Sequence, residues 1–479
     1  MIRKLLHRVF RRRAGRTDHR PLEPARLGPD QHGIRAEQIS SAARRTCAAL
    51  QAAGHQAYVV GGAVRDLIAG VPPKDFDVAT DATPEQVIAC FRRARAIGRR
   101  FRIVHVMHGR ETVEVSTFRS ASDAETDETG RIVCDNIFGV QRDDAMRRDF
   151  TINALYYDPS TQIVVDYHHG VADLKQKTLR IIGDPATRYR EDPIRMLRAV
   201  RLSAKLGLDL DPAARAPIRA LAPLLENVPP ARLLDELLKL LLSGHAIECI
   251  DRLREEGLHS GVLPLLDSML ANPAGARFLR TALSATDQRV QAGKSVSPGF
   301  LFAALLWQQL VEVWTEHQAD GTPPQPALVS ATHAVLEQQS EALAITRKIA
   351  SDITEIWLLQ PRFLQRSGRR PFRLLEQPRF RAAYDFLLLR AEAGELDPEL
   401  PEWWDRFAHA GETARADMLI VDTAAKPRRP RRRRKTRGAG AEAETAGGAP
   451  SGTTGGGGRG CPPPAPHQKP PPSVPIGPR

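Results

Sequence analysis

The spacing of apolar and polar residues divides the chain into two regions of different secondary structure. Between residues 36 and 180, short apolar runs typical of strands interleave with segments whose apolar residues recur every three or four positions, as in helices. The predicted helices cover residues 40–53, 63–69 and 83–90 onward. The predicted strands cover residues 56–60, 76–80, 103–107, 112–117 and 163–167. This alternation predicts an α/β head at residues 36–180.

Beyond residue 185 the strand pattern stops, and helical periodicity continues to about residue 420. Candidate helices cover residues 191–206, 213–225, 230–243, 246–256, 299–316, 326–338, 341–359, 371–394 and 402–410. The pattern therefore predicts an all-α neck at residues 181–245 and a helical body at residues 246–420.

The two ends of the chain lack the pattern of a folded core. Residues 1–35 are predicted to be a basic N-terminal arm, whose last part, residues 21–35, is expected to be a loose lead-in with Pro and Gly. Residues 421–479 are dominated by Pro, Arg and Gly. Because this composition offers too little apolar surface to bury, we predict a disordered basic C-terminal tail there.

The net charge of +13 is concentrated in these ends. Residues 1–20 contain eight Lys or Arg against one Asp, and residues 426–437 contain nine and no acid. These two segments together carry +16, which leaves about −3 for the rest of the chain. Dense positive charge on solvated segments attracts polyanions, so the charge pattern indicates a nucleic-acid partner.

The first residues also have an amphipathic pattern. A helix here would place Ile2, Leu5, Leu6, Val9 and Phe10 on one face and Arg or Lys on the other. A membrane-surface helix, an RNA-binding arm and an organelle transit peptide all have this pattern. The sequence does not decide among the three.

Composition excludes some classes of protein. The chain has no uninterrupted apolar span near the ~20 residues that a transmembrane helix needs. Its five cysteines are scattered, with no C-x-x-C pair and no zinc-site spacing. Free thiols in a reducing compartment are the simplest interpretation, and we expect a cytoplasmic location.

The most informative motif is YVVGGAVRDLIAGVPPKDFDVAT, at residues 58–80. The Gly61-Gly62 pair follows an apolar strand, and glycines at such a turn allow a phosphate to approach the backbone. Residues two apart in a strand point the same way, so Asp75 and Asp77 are expected to face one spot. Paired carboxylates are ligands that suit Mg²⁺ on nucleotide phosphates, and the combination predicts phosphoryl or nucleotidyl transfer.

A third carboxylate is expected from the run ETVEVSTF. Strand alternation separates its apolar residues from Glu114, which is then free to join Asp75 and Asp77. Two metal ions can activate an attacking oxygen and stabilise the leaving group, and two ions need more than two carboxylates. A solvent-facing strand residue is the alternative for Glu114.

Two further segments combine arginines with aspartates. In RRDFTINAL, Arg147, Arg148 and Asp149 suit the binding of phosphate or sugar oxygens, with a structural Arg–Asp cluster as the alternative.

In EDPIRMLRAVR, helical spacing puts Asp192, Arg195 and Arg198 along one stripe. An apolar stripe, expected to be buried, consists of Ile194, Leu197, Val200 and Ala204. A salt-bridged surface helix is the alternative for this segment.

GGAVRD followed by DFDV resembles the head motif of the tRNA nucleotidyltransferase/poly(A) polymerase family, and RRDFTINAL and EDPIRMLRAVR resemble its later motifs. The resemblance implies a polymerase-β-like head with a mixed sheet, two Mg²⁺ ions and a nucleoside triphosphate substrate. The implied metal ligands are Asp75, Asp77 and Glu114. The implied nucleotide-binding residues are Gly61, Gly62, Arg65, Arg147, Arg148, Asp192, Arg195 and Arg198. Asp149 is implied to act in the active site, either directly in catalysis or in support.

Other segments resemble the poly(A) polymerase branch of this family. AIGRRF at residues 96–101 fits five of six positions of a short element found in that branch, and DNIFG at residues 135–139 is similar too. This branch adds AMP from ATP to RNA 3′ ends, without a template, in mRNA processing and decay. RNA 3′ ends and ATP are thus the expected partners, with RNA-decay proteins and a membrane surface as further candidates. The alternatives are CCA addition to tRNA and an inactive RNA-binding protein.

Overall fold

The computed structural model describes residues 23–98, 102–120, 125–126, 132–134, 138–261 and 272–420. The predictions for residues 1–22, for Arg99 to Phe101 of AIGRRF, for residues 135–137 of DNIFG and for the tail at 421–479 lie outside these ranges. Among the described residues, no helix is long and apolar enough to cross a membrane.

The head is built on an eight-stranded mixed sheet with the strand order β1-β10-β9-β2-β3-β6-β5-β4. The strands of the chain are β1 Ala25–Leu27, β2 Ala57–Val60, β3 Asp77–Thr80, β4 Ala94–Ile97, β5 Ile103–His108, β6 Glu111–Thr117, β7 Glu125–Thr126, β8 Ile132–Cys134, β9 Leu155–Asp158, β10 Ile163–Asp166, β11 Thr178–Leu179 and β12 Asp209–Leu210. In the large sheet, β3 and β6 pair in parallel and the other neighbours pair antiparallel. The mixed sheet of the head is therefore confirmed.

Most of the described residues outside the sheet are helical. The α-helices are α1 Pro29–His32, α2 Ser41–Ala52, α3 Gly62–Ile68, α4 Pro84–Cys90, α5 Gln141–Arg147, α6 Gly170–Lys175, α7 Pro185–Glu191, α8 Ile194–Leu206, α9 Pro212–Arg215, α10 Ile218–Leu221, α11 Pro230–Leu241, α12 Ala246–Glu255, α13 Pro273–Gln291, α14 Pro298–Leu305, α15 Trp307–Ala319, α16 Pro324–Ala342, α17 Arg347–Phe363, α18 Arg370–Leu375, α19 Phe380–Glu392, α20 Glu399–His409 and α21 Glu412–Asp417. Short 3-10 helices cover Ala36–Gln38, Thr151–Asn153, Ala222–Asn227 and His259–Gly261.

Three sequence expectations about these elements are wrong. The lead-in at 21–35 is not loose throughout, because β1 pairs with β10 at the edge of the large sheet. The predicted helix at 191–206 is broken at Asp192, because Pro193 has no N–H to continue the ladder and disfavours a helical conformation in the residue before it. Strands do not stop at residue 185, since β12 pairs in parallel with β11.

The sheet and the helices have separate hydrophobic cores, and α8 connects the two parts of the chain. One core packs α2 and α3 against the sheet, and a larger one unites α8 with the helices that follow it. The predicted apolar stripe of α8 is buried at all four of its positions, Ile194, Leu197, Val200 and Ala204. The polar side of α8 is thereby left to line the cleft beside the sheet.

Candidate active site

A cavity of about 770 Å³ lies between the ends of the central strands β2 and β3 and the helices α8 and α11. Its lining includes predicted site residues from every motif, namely Gly61, Gly62, Arg65, Asp75, Asp77, Arg147, Arg148, Asp149, Asp192, Arg195 and Arg198. Segments separated by more than 130 positions in sequence thus contribute to one site. Of the predicted residues, Glu114 does not line the cavity.

The glycine turn connects β2 to α3 at one wall of this cavity. Gly61 has φ 69° and ψ −126°, a conformation that L-residues with a side chain rarely adopt. A Cβ atom at this position would lie 3.4 Å from Nη1 of Arg148. Val60, the last residue of β2, pairs with Asp77 across the sheet, which places the turn beside the carboxylates. Glycine is thus required here by backbone conformation, and Arg148 leaves little room for a larger residue.

Asp75 and Asp77 both line the cavity, although the reason differs from the expected one. Asp77 begins β3, whereas Asp75 precedes the strand, so strand alternation does not set their relative directions. Burial, followed by the charges of Asp75 and Glu114, raises the pKa of Asp77 to about 6. A carboxylate whose pKa is raised by neighbouring carboxylates in this way fits a divalent cation, which would remove the repulsion.

Glu114 lies next to Asp77 in the sheet but faces different surroundings. The two residues are partners in the parallel pair β3–β6. The Glu114 side chain is 52% exposed, and its carboxylate lies 3.3 Å from Nε2 of His105. In the described part of the chain, no three His, Cys, Asp or Glu side chains group closely enough to hold a metal. In this structure Glu114 therefore affects Asp77 through its charge.

Arg65 lies in the floor of the cavity, beneath the glycine turn. Its guanidinium donates from Nε and Nη2 to Asp66 at 2.8 and 2.5 Å, and from Nη1 to Asn153 at 2.6 Å. A Cβ on Gly62 would lie 3.6 Å from Nη2 of Arg65. These contacts make Arg65 a support for the turn, and its direct contact with a nucleotide stays a prediction.

Asp144 holds the two arginines of RRDFTINAL in place. Nε of Arg147 donates to Asp144 at 3.1 Å, and Nη2 of Arg148 donates to it at 3.0 Å. The Tyr156 hydroxyl donates to the same carboxylate at 2.7 Å. Burial alone would raise the pKa of Asp144, but Arg148 and Arg147 hold it below its usual value. The motif arginines are thus anchored at the end of α5 with their charge retained.

Asp149 connects the head to α8. Its Oδ1 accepts hydrogen bonds from Asn153 Nδ2 at 3.0 Å and from the Phe150 amide at 2.8 Å. Its Oδ2 lies 2.7 Å from Nη2 of Arg198. Burial opposes ionisation, but Arg198 and these hydrogen bonds keep the pKa of Asp149 below its usual value. Oδ1 is therefore hydrogen-bonded within the head, and Oδ2 is held by its ion pair with Arg198.

Asp192 and Arg195 share the end of the cavity near α11. Arg232 Nη2 donates to Oδ2 of Asp192 at 2.9 Å, and Oδ1 of Asp192 is buried without a hydrogen-bond partner among the described residues. Arg195 Nη1 donates to the Arg188 carbonyl at 2.7 Å and to Glu191 at 3.0 Å. Asp192 lies outside α8, so the predicted single helical stripe is wrong for this residue. The two side chains nevertheless border the same cavity.

Arg188 ties this end of the cavity to the head. Its Nη2 donates to the carbonyl oxygens of Arg147 and Arg148 at 2.5 and 2.7 Å, and its Nη1 donates to Glu191 at 2.7 Å. One side chain therefore connects the end of α5 to the residues that hold Arg195.

Sequence reasoning did not assign several residues of the site. These are Asp66, Asp144, Asn153, Arg188, Glu191, Lys205, Arg232 and Lys239. Asp66, Asn153 and Glu191 lie inside the quoted motifs, so their position was a usable signal. Arg232 and Lys239 have no local signal, because only the packing of α11 against α8 brings them to the cavity or to its Asp192. Lys205 follows the motif on α8 and reaches the cavity through its contact with Asp66.

Three family descriptions match separate parts of this chain. Residues 57–180 match the poly A polymerase head domain. Residues 207–270 match a probable RNA and SrmB-binding site of polymerase A, and residues 320–438 match a polymerase A arginine-rich C-terminus.

Individual proteins are similar over most of the length. Poly(A) polymerase I of Escherichia coli O6:H1 is 44% identical over 84% of this chain and 89% of its own. Poly(A) polymerase I of Haemophilus influenzae is 42% identical over 84% and 93%. The CCA-adding enzyme of Geobacillus thermodenitrificans is 38% identical over 43% of this chain and 50% of its own.

Solved structures share the fold. The CCA-adding enzyme of Bacillus stearothermophilus in complex with CTP has a TM-score of 0.54 and 26% identity, over 77% of this chain and 82% of that one. The Thermotoga maritima CCA-adding enzyme complexed with tRNA has a TM-score of 0.53 and 15% identity, over 84% and 91%. The head and helical body are therefore an architecture found among nucleotidyltransferases.

Proposed function

Because this chain belongs to the tRNA nucleotidyltransferase/poly(A) polymerase family, we propose that its cleft performs template-independent adenylyl transfer. The protein is a polynucleotide adenylyltransferase that adds AMP from ATP to RNA 3′ ends. The observation that best supports this proposal is the extent of the sequence similarity. In sequence, poly(A) polymerase I matches 84% of this chain, whereas the CCA-adding enzyme of Geobacillus thermodenitrificans matches 43% of it. CCA addition is accordingly the second candidate.

Asp75 and Asp77 would hold Mg²⁺, which fits the raised pKa of Asp77. A bound Mg²⁺ supplies charge neutralisation for the triphosphate and lowers the pKa of an attacking hydroxyl. The sequence predicts a second ion as well, and Asp75 and Asp77 are the predicted metal ligands that line the cavity, whereas Glu114 does not.

The chain's own residues bind and orient the two substrates. Gly61 and Gly62 allow the triphosphate to approach the backbone, and Arg148 lies beside this turn with its charge secured by Asp144. The 3′-oxygen of the RNA attacks the α-phosphorus, the bond from that phosphorus to the bridging oxygen breaks, and pyrophosphate leaves. Asp149 has both oxygens engaged with protein groups, which favours a supporting role in which it orients Arg198.

Adenine selection is assigned to Asp192 and Arg195. Arg195 is held by Glu191 and the Arg188 carbonyl, and Asp192 is held by Arg232, so neither side chain can readily reorient for a different base. Fixed donors and acceptors select a base because a mismatched base leaves buried polar groups without partners. The unpartnered Oδ1 of Asp192 is an acceptor that suits an exocyclic amine.

The experiment that tests the function supplies single nucleoside triphosphates to the full-length protein with Mg²⁺. With an unstructured RNA, ATP should give long tails and CTP should give little incorporation. Efficient CMP addition to a tRNA that lacks its CCA end, without ATP tailing of the unstructured RNA, would establish the second candidate instead.

A matched variant separates catalysis from RNA binding. Asp77→Asn should abolish tailing, because it removes a charge needed for the metal, and it should leave RNA affinity unchanged. Asp81→Asn is the control, since Asp81 is exposed just beyond the end of the same strand and does not line the cavity. Equal tailing by both variants would refute the carboxylate assignment and favour an inactive RNA-binding protein.

Location and further partners complete the proposal. A cytoplasmic site is supported by Cys47 and Cys249, which are buried free thiols whose pKa burial raises to about 12. RNA-decay proteins and a membrane surface for the N-terminal arm remain the proposed additional partners, and the arm lies outside the described residues.

A further inference from the structure

The corner between α17 and α18 carries an unusual excess of positive charge. Residues 362–381 contain seven arginines and one acid, Glu376. The chain outside the two basic ends carries a net charge of about −3. This concentration of arginine is therefore a local property of one segment of the folded body.

Acidic neighbours neutralise the arginines at the far end of this segment. Arg379 pairs with Asp352 and lies 3.5 Å from Glu355. Arg381 pairs with Asp385 at 3.0 Å. These two arginines have structural partners, and adjacent carboxylates neutralise their charge.

Three arginines nearer the start of this segment differ from these in their charge environment. In the part of the chain that the structure describes, Arg362, Arg369 and Arg373 have no acidic side chain within ion-pair distance. Arg369 and Arg373 are exposed, and Arg362 is half-buried at the end of α17. Leu364, between them, is 62% exposed. We call these three arginines, which flank Leu364 in the sequence, the arginine corner.

The last described residues of the chain pack against the loop between α17 and α18. The amide of Ile420 donates to the carbonyl of Arg366 at 3.1 Å, which fixes this end of the described chain against the loop. The loop that carries Leu364 and Arg366 is therefore held in place by a second segment of the fold.

We propose that the arginine corner binds the phosphodiester backbone of single-stranded RNA upstream of the 3′ end, an inference that rests on the proposed function. Guanidinium groups bind phosphate oxygens with two parallel hydrogen bonds. The aromatic side chains nearby pack into one cluster, in which Trp403, Trp404 and Phe407 are buried and Phe372 and Phe380 are partly buried against them. Contact is therefore made through charge and is independent of RNA sequence.

The test compares two triple variants of the full-length protein. The first is Arg362→Gln, Arg369→Gln and Arg373→Gln. The control, Lys294→Gln, Arg347→Gln and Lys348→Gln, removes the same charge from exposed positions elsewhere on the body. Arg347 begins α17 and Arg362 lies near its end, so these two positions are about 22 Å apart along one helix.

Binding to a long unstructured RNA is measured against salt concentration. Each lost phosphate contact should reduce the slope of log K against log salt by about 0.7, so the corner variant should lose about 2 while the control keeps the wild-type slope. The corner variant should also make shorter tails on long RNA, with unchanged AMP addition to an oligonucleotide that fills only the cleft. Replacing the same three residues by Lys should restore most of the slope, because Lys keeps the charge.

Two results would overturn the proposal. One is an equal slope for the corner and control variants. The other is loss of binding to phosphatidylglycerol vesicles with RNA binding intact, which would make the corner a membrane contact. If no protein, including the wild type, added AMP, the proposed function would fail. The salt slopes would still test whether the arginine corner binds RNA.

Discussion

Asp144 is the residue that holds Arg147 and Arg148 in the cleft, although it does not itself line the cavity. It is buried, and it accepts hydrogen bonds from Arg147, Arg148 and Tyr156. A buried ionised carboxylate is tolerated only when paired, and here the pairing lowers its pKa despite the opposing effect of burial.

Replacement of Asp144 by Asn should therefore destabilise the protein in a pH-dependent way. Because the folded-state pKa lies below the unfolded value of about 3.9, the charge stabilises the fold above that value, and the stabilisation is lost as the pH falls through the folded pKa. We expect Asp144→Asn to lower the free energy of unfolding by about 2–3 kcal/mol at neutral pH. This loss is smaller than the loss expected for a fully buried ion pair, because the arginine side chains are partly exposed. Urea denaturation at several pH values measures the difference.

The exposed pair Arg381–Asp385 provides the control for this measurement. Asp385→Asn should cost no more than about 1 kcal/mol at any pH. A stability loss for Asp144→Asn that persisted unchanged at strongly acidic pH would show that shape, and not charge, determines its role.

Arg195 is the residue expected to control the choice of nucleotide. Arg195→Ala should reduce the ratio of kcat/KM for ATP over CTP by about 10- to 100-fold, because a hydrogen bond from a charged group contributes about 1.5–3 kcal/mol. Steady-state incorporation with each nucleotide measures this ratio. Arg190→Ala is the matched control, since Arg190 is exposed on the neighbouring helix and does not line the cavity. An unchanged ratio in Arg195→Ala would remove Arg195 from base selection.

At the scale of elements, the sequence predicted the strands and the turn that build the site, because their signals are local. Apolar runs marked β2, β3 and β6, and Gly61 marked the turn into α3. The break between α7 and α8 was missed, although Pro193 signals it, because helical periodicity continues across the proline. The helix α13 was missed entirely, and three other predicted helices are each divided into shorter ones in the structure. These differences depend on packing between helices, which no local pattern records.

The glycine turn permits a paired test at this scale. Gly61→Ala and Gly70→Ala both place a side chain on a residue with positive φ, at the start and just past the end of α3. Each should cost about 1–2 kcal/mol of stability. Only Gly61→Ala crowds Arg148, because no heavy atom lies within 4 Å of a Cβ built on Gly70. We therefore expect a raised KM for ATP in Gly61→Ala alone, and equal kinetics in both variants would show that the turn does not contact the triphosphate.

At the scale of the whole molecule, the cleft exists only because the head and the helical part meet. Motif order identified the residues on each side, but Lys205 and Arg232, which join the two sides, lie outside the motifs. Lys205 of α8 donates to Asp66 of α3 at 2.8 Å, and Arg232 of α11 donates to Asp192. Such pairs are set by tertiary packing, so the sequence predicted the contents of the site better than the contacts that close it.

Lys205 gives a direct measure of how strongly these two parts are joined. Asp66 is 7% exposed and keeps its bonds to Arg65 when Lys205 is removed, so the loss should be smaller than the 3–5 kcal/mol typical of an uncompensated buried charge. We expect Lys205→Gln to lower the free energy of urea unfolding by about 1–2 kcal/mol. Arg280→Gln breaks an ion pair of similar length whose side chains are 52% and 39% exposed, and it should cost about 0.5 kcal/mol. If both variants lost the same small amount, the ion pair between α8 and α3 would not be what joins the head to the helical part, and the packing of α8 would have to do so alone.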